Sequence, residues 1–304
     1  MAAISVQNIN KKYGNIQALN NISFDVQQGE IYGIIGPDGA GKTSLFRILT
    51  TLLLAESGTV TVDGLDIIKD YKQIRNRIGY MPGKFSLYQD LTVEENLEFF
   101  ATVFNTTIRE NYDLIKDIYS QIEPFKNRRA GKLSGGMKQK LALSCALIHK
   151  PTVLFLDEPT TGVDPVSRKE FWEMLQNLKA QNITILVSTP YMDEAMLCDR
   201  IALIQEGTFL QVDTPDNIIE RFTEILWAVK SKEMFRLLND LRHYNGIKTC
   251  FTFGEVHHIT VKEDLKMEDI RNYLIDKGHQ DIDVYAIKPS IEDCYMQLAQ
   301  KVVI

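Results

Sequence analysis

Residues 31 to 43 read Ile31-Tyr32-Gly33-Ile34-Ile35-Gly36-Pro37-Asp38-Gly39-Ala40-Gly41-Lys42-Thr43. The run before Gly36 is apolar without alternation, which is typical of a strand buried on both faces. The run from Gly36 fits the pattern G-x-x-x-x-G-K-[ST], and leucine or isoleucine then recurs with helical period at positions 45, 48, 49, 52 and 53. A strand, a glycine-rich turn and a helix in direct succession predict an α/β fold built around a phosphate-binding loop.

This loop has the composition that phosphate oxygens require. Its glycines let the backbone wrap closely around phosphate, while main-chain N–H groups and the helix start supply partial positive charge. Lys42 adds a full positive charge, and the Thr43 hydroxyl can offer itself to Mg²⁺. Asp38 is unfavourable beside phosphate unless it points away, so its expected role is to form the turn. The predicted nucleotide site consists of Gly36, Pro37, Asp38, Gly39, Ala40, Gly41, Lys42, Thr43 and Ser44.

Strand-like segments of two kinds flank the loop. Segments 3–9, 21–27 and 58–64 alternate apolar and polar residues, which predicts half-buried antiparallel strands. Segments 153–156 and 183–187 are apolar without alternation, as in a sheet that is buried on both faces. We therefore expect a P-loop NTPase core of the α/β class that carries an antiparallel β flank.

Two further parts complete the predicted organisation. Residues 84–150 read as mainly helical, which indicates a helical subdomain inserted into a domain that spans residues 1–220. After Pro215, helix-like and strand-like segments alternate, which predicts a small C-terminal α+β domain over residues 221–304.

Composition excludes several classes of protein. The chain has 304 residues, a formal net charge of -6 and a pI near 5.5, which disfavours a surface made to neutralise nucleic acid. No apolar run approaches the roughly 20 residues that span a bilayer, and residues 1–15 lack the apolar core of a secretory signal. The four cysteines are far apart without a C-x-x-C pair, which argues against a zinc site or disulfide framework. We expect a cytoplasmic protein with reduced thiols.

Two more motifs follow the loop. Leu133-Ser134-Gly135-Gly136-Met137-Lys138-Gln139 comes first, and Phe155-Leu156-Asp157-Glu158-Pro159-Thr160 comes after it. Together with the loop, and in this order, they closely resemble the signature and Walker B motifs of the ATP-binding subunits of ABC transporters. The resemblance covers about residues 3 to 220, and Pro289-Ser290-Ile291-Glu292-Asp293 resembles an ending found in cassettes of ABC-2-type exporters.

The resemblance implies roles for single residues. Asp157 and Thr43 would hold Mg²⁺, and Glu158 would activate the attacking water as the catalytic base. Tyr13 matches the aromatic residue that stacks on adenine. Ser134, Gly135 and Gly136 would serve the ATP of a partner cassette, and Asp164 would communicate across the dimer. The implied cofactors are ATP and Mg²⁺.

Two positions depart from the family pattern. Gly83 stands where the family carries the Q-loop glutamine, and Pro190 stands where it carries the switch histidine. Both changes affect the half-site in which the chain's own loop 36–44 would hold a nucleotide. The signature segment, which would serve the other half-site, is intact. We therefore expect the chain to bind ATP but to hydrolyse it weakly alone, and to pair with a second, complete cassette in preference to a copy of itself.

The resemblance also implies partners. Integral membrane permease subunits would bind the cassette on the cytoplasmic face of the membrane, near residues 80–100, and the cargo would be exported. The candidate contacts are Phe85, Leu87 and Tyr88, whose alternative role is packing in the helical subdomain. Two alternatives stay open at this point: a soluble ABC-type ATPase outside transport, and a regulatory subunit that binds nucleotide without useful hydrolysis.

Overall fold

The computed structural model describes residues 2–302, and the side chains of residues 2–300. The chain forms two compact units, of which the first ends at Pro215 and the second begins at Asp216. This division lies before the boundary expected at 220/221. Ile218, in the helix Pro215–Glu220, belongs to the second unit, where its carbonyl oxygen accepts from the Cys294 thiol.

The first unit contains ten strands and six helices among the described residues. The strands are β1 (Ala2–Tyr13), β2 (Ile16–Gln27), β3 (Ile31–Ile35), β4 (Ser57–Val62), β5 (Leu65–Asp66), β6 (Ile78–Met81), β7 (Val153–Asp157), β8 (Thr184–Thr189), β9 (Arg200–Gln205) and β10 (Thr208–Asp213). The helices are α1 (Lys42–Leu49), α2 (Tyr71–Arg75), α3 (Val93–Val103), α4 (Ile108–Tyr119), α5 (Gly135–Leu147) and α6 (Pro165–Ala180).

Two sheets form the core of this unit. The first has the order β2-β1-β4-β5 and is antiparallel, as the alternating segments predicted. The second has the order β10-β9-β3-β8-β7-β6, and all its neighbours are parallel except β9 and β10. Every residue of β3, β7 and β8 is buried, which is why these strands read as apolar runs. The loop after β3 and the Asp157 end of β7 therefore lie at the same edge of the sheet.

Helix α1 packs on both sheets but is shorter than the periodicity predicted. Its buried face includes Leu45, Phe46, Ile48 and Leu49, which belong to the core shared by the sheets. The helix ends at Leu49 because Thr51 adopts a left-handed φ of 63°. Positions 52 and 53 therefore lie outside the helix although they continue its apolar period.

The segment predicted to be helical contains α3, α4, α5 and two short 3-10 turns, Glu123–Phe125 and Ala130–Lys132. Capping boxes fix the start of α3 at Thr92 with Glu95, and that of α4 at Thr107 with Glu110. No helix within residues 2–302 is long and apolar enough to cross a bilayer.

The second unit is a four-stranded antiparallel sheet with helices. Its elements are α7 (Pro215–Glu220), β11 (Ile225–Lys230), α8 (Met234–Arg242), β12 (Ile247–Phe253), β13 (Val256–Val261), α9 (Met267–Asp276), β14 (Asp283–Ala286) and α10 (Ile291–Val302). The strand order β12-β13-β11-β14, with the helices at these places, is the ferredoxin-like βαββαβ arrangement. Side chains of α8 and α9 share a buried cluster with this sheet, so the unit has its own core.

Candidate nucleotide-binding site

The glycines at the two ends of the loop allow close approach of the backbone. A Cβ at Gly36 would lie 2.2 Å from the carbonyl oxygen of Ile204, so only glycine fits beside β9. Gly41 has a φ of 104° and precedes α1, whose start has no side-chain cap among the described residues. The first N–H groups of α1 are therefore free of a side-chain acceptor and point at the loop, which is the arrangement that binds anions.

Lys42 places a buried ammonium group in this loop. The residue is 3% exposed, and its Nζ donates to the carbonyl oxygens of Gly36 at 2.7 Å and Pro37 at 2.8 Å. The same Nζ lies 3.0 Å from Oε1 of Glu158. The structure thus brings together the predicted phosphate-binding cation and the predicted base.

Asp157 ends β7 within hydrogen-bonding distance of two hydroxyl groups. Its carboxylate accepts from Ser188 Oγ at 2.8 Å and from the Thr43 hydroxyl, while the residue is 2% exposed. Burial raises the pKa of the Asp157 carboxyl, although the bonds from Ser188 and Thr43 oppose this shift. A carboxylate beside a threonine hydroxyl is a pair of hard oxygen donors, which suits Mg²⁺.

Glu158 adopts an unusual backbone conformation. Its φ is 52°, in the left-handed region that non-glycine residues seldom occupy. The Glu158 N–H donates to both the carbonyl oxygen and the Oγ of Ser188, each at 3.0 Å. Strand β8 therefore holds the strained residue in place and fixes where its carboxylate begins.

Tyr13 also lies at the loop. Its hydroxyl is 3.3 Å from Ser44 Oγ, and the residue is 45% exposed, so a ring face is accessible for stacking. Asp38 is exposed, in agreement with the expected turn position.

The two altered positions border the same carboxylates. A Cβ at Gly83 would lie 2.9 Å from the Asp157 carbonyl oxygen, so the backbone of residue 83 directly faces the end of β7. Pro190 follows Thr189, whose carbonyl oxygen accepts the Gly36 N–H at 3.2 Å. Both changes therefore lie at the loop and carboxylates of the chain's own half-site.

The signature residues contact a different segment. Ser134 caps α5, since its Oγ accepts the Met137 N–H at 3.3 Å, and a Cβ at Gly136 would lie 2.8 Å from Ser167 Oγ. The Gly135 position likewise faces the Gly162 carbonyl oxygen. Asp164 caps α6 through the Ser167 N–H at 3.0 Å, and this bond holds the pKa of the Asp164 carboxyl below its usual range. The signature and Asp164 thus form a second group of predicted residues.

The sequence analysis missed two residues that contact this site, Ser188 and Thr189. One signal was present, because Ser188 and Thr189 are polar residues at the carboxyl end of an apolar strand. The pairing of Asp157 with Ser188 across β7 and β8 comes from the register of the sheet.

Residues 19–161 match the family profile described as ABC transporter. The Nod factor export ATP-binding protein I of Burkholderia lata is 40% identical over 223 residues, which cover 72% of this chain and 73% of that protein. The daunorubicin resistance ATP-binding protein DrrA2 of Streptomyces coeruleorubidus is 33% identical over 305 residues, which cover 97% and 94%. The chain belongs to the ABC transporter family of ATP-binding proteins. The resemblance drawn from the three motifs is therefore confirmed.

Another ABC protein matches over part of its length. YbhF of Escherichia coli K12, a probable multidrug ABC transporter ATP-binding protein, is 40% identical over 217 residues, which are 71% of this chain but 38% of YbhF. The chain thus spans about two fifths of that relative.

Solved ABC cassettes share the fold of the first unit. The cbiO1 protein of Clostridium perfringens, part of the cbiONQ transporter complex, is 26% identical with a TM-score of 0.65, covering 78% of this chain and 94% of that one. The cassette MJ0796, solved as a dimer bound to ADP and Pi, is 25% identical with a TM-score of 0.63, covering 69% and 98%. The predicted P-loop NTPase fold is confirmed.

Proposed function

We propose that the chain binds MgATP in the loop 36–44 and couples ATP binding and hydrolysis to export through separate membrane subunits. One observation carries this proposal: Lys42, Asp157 and Glu158 converge at one edge of the parallel sheet, beside an uncapped helix start. An anion-binding loop, a site for a divalent cation and a base are the three parts that phosphoryl transfer to water needs.

Each residue has a task that its position supports. Lys42 and the N–H groups of α1 would bind the phosphates, and Tyr13 would stack on the adenine ring. Thr43 and Asp157 would hold Mg²⁺, which neutralises charge on the phosphates. Glu158 would accept the proton of the attacking water.

Hydrolysis at the chain's own half-site should be slow. Gly83 offers no side chain to the water, and Pro190 has neither an imidazole nor an N–H. The loss of one positioned group typically lowers a rate by about 10² to 10⁴. The signature residues would complete the ATP site of a second cassette. Pairing with a complete cassette would therefore explain why the signature is retained while the chain's own half-site is altered.

A groove on the first unit fits a membrane partner. It has a volume of about 370 Å³ and lies between β6, α3 and α5, with a lining that includes Ile78, Met81, Leu87, Phe100, Phe104 and Ala146. Of the contacts expected near residues 80–100, Leu87 is buried in this lining and Tyr88 is 51% exposed. We assign the groove to a permease segment with an apolar face. The chain would then be peripheral on the cytoplasmic side of the membrane.

Export is supported by the relatives. The Nod factor protein is described as an export ATP-binding protein, and the YbhF and DrrA2 proteins are described by multidrug transport and daunorubicin resistance. We extend export to this chain as a proposal, without naming its cargo.

Calorimetry and a phosphate-release assay test the proposal together. The purified chain should bind MgATP yet turn it over slowly, and co-expression with its permease and second cassette should raise the rate and retain the chain on membranes. Absence of MgATP binding by the folded wild type would contradict the proposal. Rapid turnover by a homodimer would contradict only the pairing with a second cassette.

A regulatory subunit is the second candidate, because Gly83 and Pro190 both lack the expected side chains. The Glu158→Gln change separates the two functions, since it removes the base but keeps the size of the side chain. We expect transport by the assembled complex to fall by about 10-fold or more if hydrolysis at this site contributes. Transport that stays at the wild-type rate would favour the regulatory role.

A further inference from the structure

Arg168, on the second turn of α6, reaches across to the segment that follows β8. Its Nε donates to Glu194 Oε1 at 3.1 Å, and one Nη donates to Asp193 Oδ2 at 3.2 Å. Its guanidinium carbon lies 4.0 Å from the centre of the Tyr191 ring. A cation with two carboxylates and one aromatic face is held firmly. We name Arg168, Tyr191, Asp193 and Glu194 the Arg168 clamp.

Glu194 transmits this contact to the altered loop. The residue is 2% exposed, and its Oε2 accepts from Thr189 Oγ1 at 2.5 Å. The same Oγ1 accepts the Tyr191 N–H at 3.1 Å. This bond joins the two residues that flank Pro190. Because a buried carboxylate costs free energy unless it is paired, Arg168 is the cation that balances Glu194 in this position.

The contacts continue to the catalytic carboxylates. The Thr189 carbonyl oxygen accepts the Gly36 N–H, and the adjacent Ser188 binds both Asp157 and the Glu158 N–H. A displacement of segment 188–194 would therefore move the atoms that orient Asp157 and Glu158.

We propose that Arg168 is a positioning residue for ATP hydrolysis, which holds the loop around Pro190 through Glu194 and so fixes Ser188 and Glu158. In this chain, the clamp holds a loop whose residue 190 has neither an N–H nor a polar side chain to donate to substrate. The inference rests on the proposed function, because it assigns a residue to the same ATP site. Arg168 contacts neither the loop 36–44 nor Glu158 in the bonds above, so its effect should fall on turnover and not on affinity.

The test compares Arg168→Met with Lys169→Met. Lys169 is the adjacent cation of α6, 80% exposed at its side chain and 3.9 Å from Glu173, so its change removes the same charge without touching the clamp. We expect the slow turnover of the purified chain alone to fall by about 10-fold to 100-fold in Arg168→Met, since small displacements of catalytic groups have effects of this size. The Kd for MgATP from calorimetry should stay within about threefold of the control. Arg168→Lys should recover part of the rate, because it keeps the charge but loses the guanidinium fork.

Two further measurements distinguish a positioning role of Arg168 from a general loss of stability. Arg168→Met leaves Glu194 buried without its cation, so Arg168→Met with Glu194→Gln removes both charges and keeps an acceptor for Thr189. This double variant should fold, exchange its amides faster than the control over residues 190–197, and turn over more slowly than Lys169→Met. Equal turnover in the double variant and the control would overturn the inference, and so would a loss of affinity equal to the loss of rate. A folded wild type that does not bind MgATP would instead count against the proposed function.

Discussion

The loop 36–44 and the loop around Pro190 lie side by side but are built by different means. The first consists of backbone N–H groups, glycines and one buried lysine, and its geometry follows from a strand, a turn and a helix that are contiguous in the chain. The second is held by Glu194 and by Arg168 from another helix. From this difference we expect that changes in the first loop affect nucleotide affinity most and that changes behind the second loop affect turnover most.

The largest loss of affinity should come from removing the buried cation of the loop 36–44. We expect Lys42→Ala to weaken MgATP binding by about 10² to 10³, because it removes a buried ammonium and leaves Glu158 without its ion pair. Calorimetry measures the affinity, and Arg47→Ala is the control, since Arg47 is an exposed cation of the same helix. An affinity that falls by less than about threefold would show that the backbone alone binds the phosphates.

Replacing Pro190 tests whether the second loop limits turnover. Pro190→His should raise turnover by the chain alone by about 10-fold with little change in affinity, because it restores the imidazole that the family pattern has at this position. Pro190→Ala controls for loss of the ring. A phosphate-release assay decides the outcome, and an equal gain in both variants would assign the effect to backbone freedom.

A smaller effect is expected at the other altered position. Gly83→Gln should change turnover by less than about threefold, because its Cβ would lie 2.9 Å from the Asp157 carbonyl oxygen and the strand end must shift to admit it. Gly83→Ala introduces the same crowding without the amide. A large gain in Gly83→Gln alone would show that the backbone yields easily here.

The smallest effect that we expect is on the pH dependence of the free energy of unfolding, through His149, which lines the groove. Burial lowers the pKa of His149 from its ordinary value of 6.5, and its Nε2–H donates to the Ile78 carbonyl oxygen at 2.9 Å. As the pH falls through the unfolded value of 6.5, the unfolded chain gains a proton before the folded chain does, so the free energy of unfolding decreases toward pH 5.

Denaturant titrations at pH 7.5 and pH 5.5 measure this difference. His149→Gln should reduce the loss of stability at the lower pH, whereas His243→Gln, at an exposed histidine, should leave it unchanged. Identical pH dependence in wild type and His149→Gln would exclude His149 as the source.

Much of the fold was predictable because its signals are local. The apolar runs of β3, β7 and β8 and the alternation of β1, β2 and β4 correspond to described strands, and helices and strands alternate after Pro215 as predicted. Strands β5, β6, β9, β10 and β14 were not predicted. Helix α1 was predicted to be too long, because a left-handed Thr51 has no signature in a periodic pattern. The compact units divide between Pro215 and Asp216, and the domain boundary at 220/221 stays a prediction.

The sequence alone determined which chemical groups are present at the nucleotide site, since a motif places Lys42, Thr43, Asp157 and Glu158 on defined elements whatever the rest of the chain does. It also determined that residues 83 and 190 lack the side chains of the family pattern. Only the tertiary structure decided how these groups are held: the register that pairs Asp157 with Ser188, the strained backbone of Glu158, and the reach of Arg168 to Glu194. The physical reason is that hydrogen bonds and ion pairs between distant segments depend on packing, which no local spacing encodes.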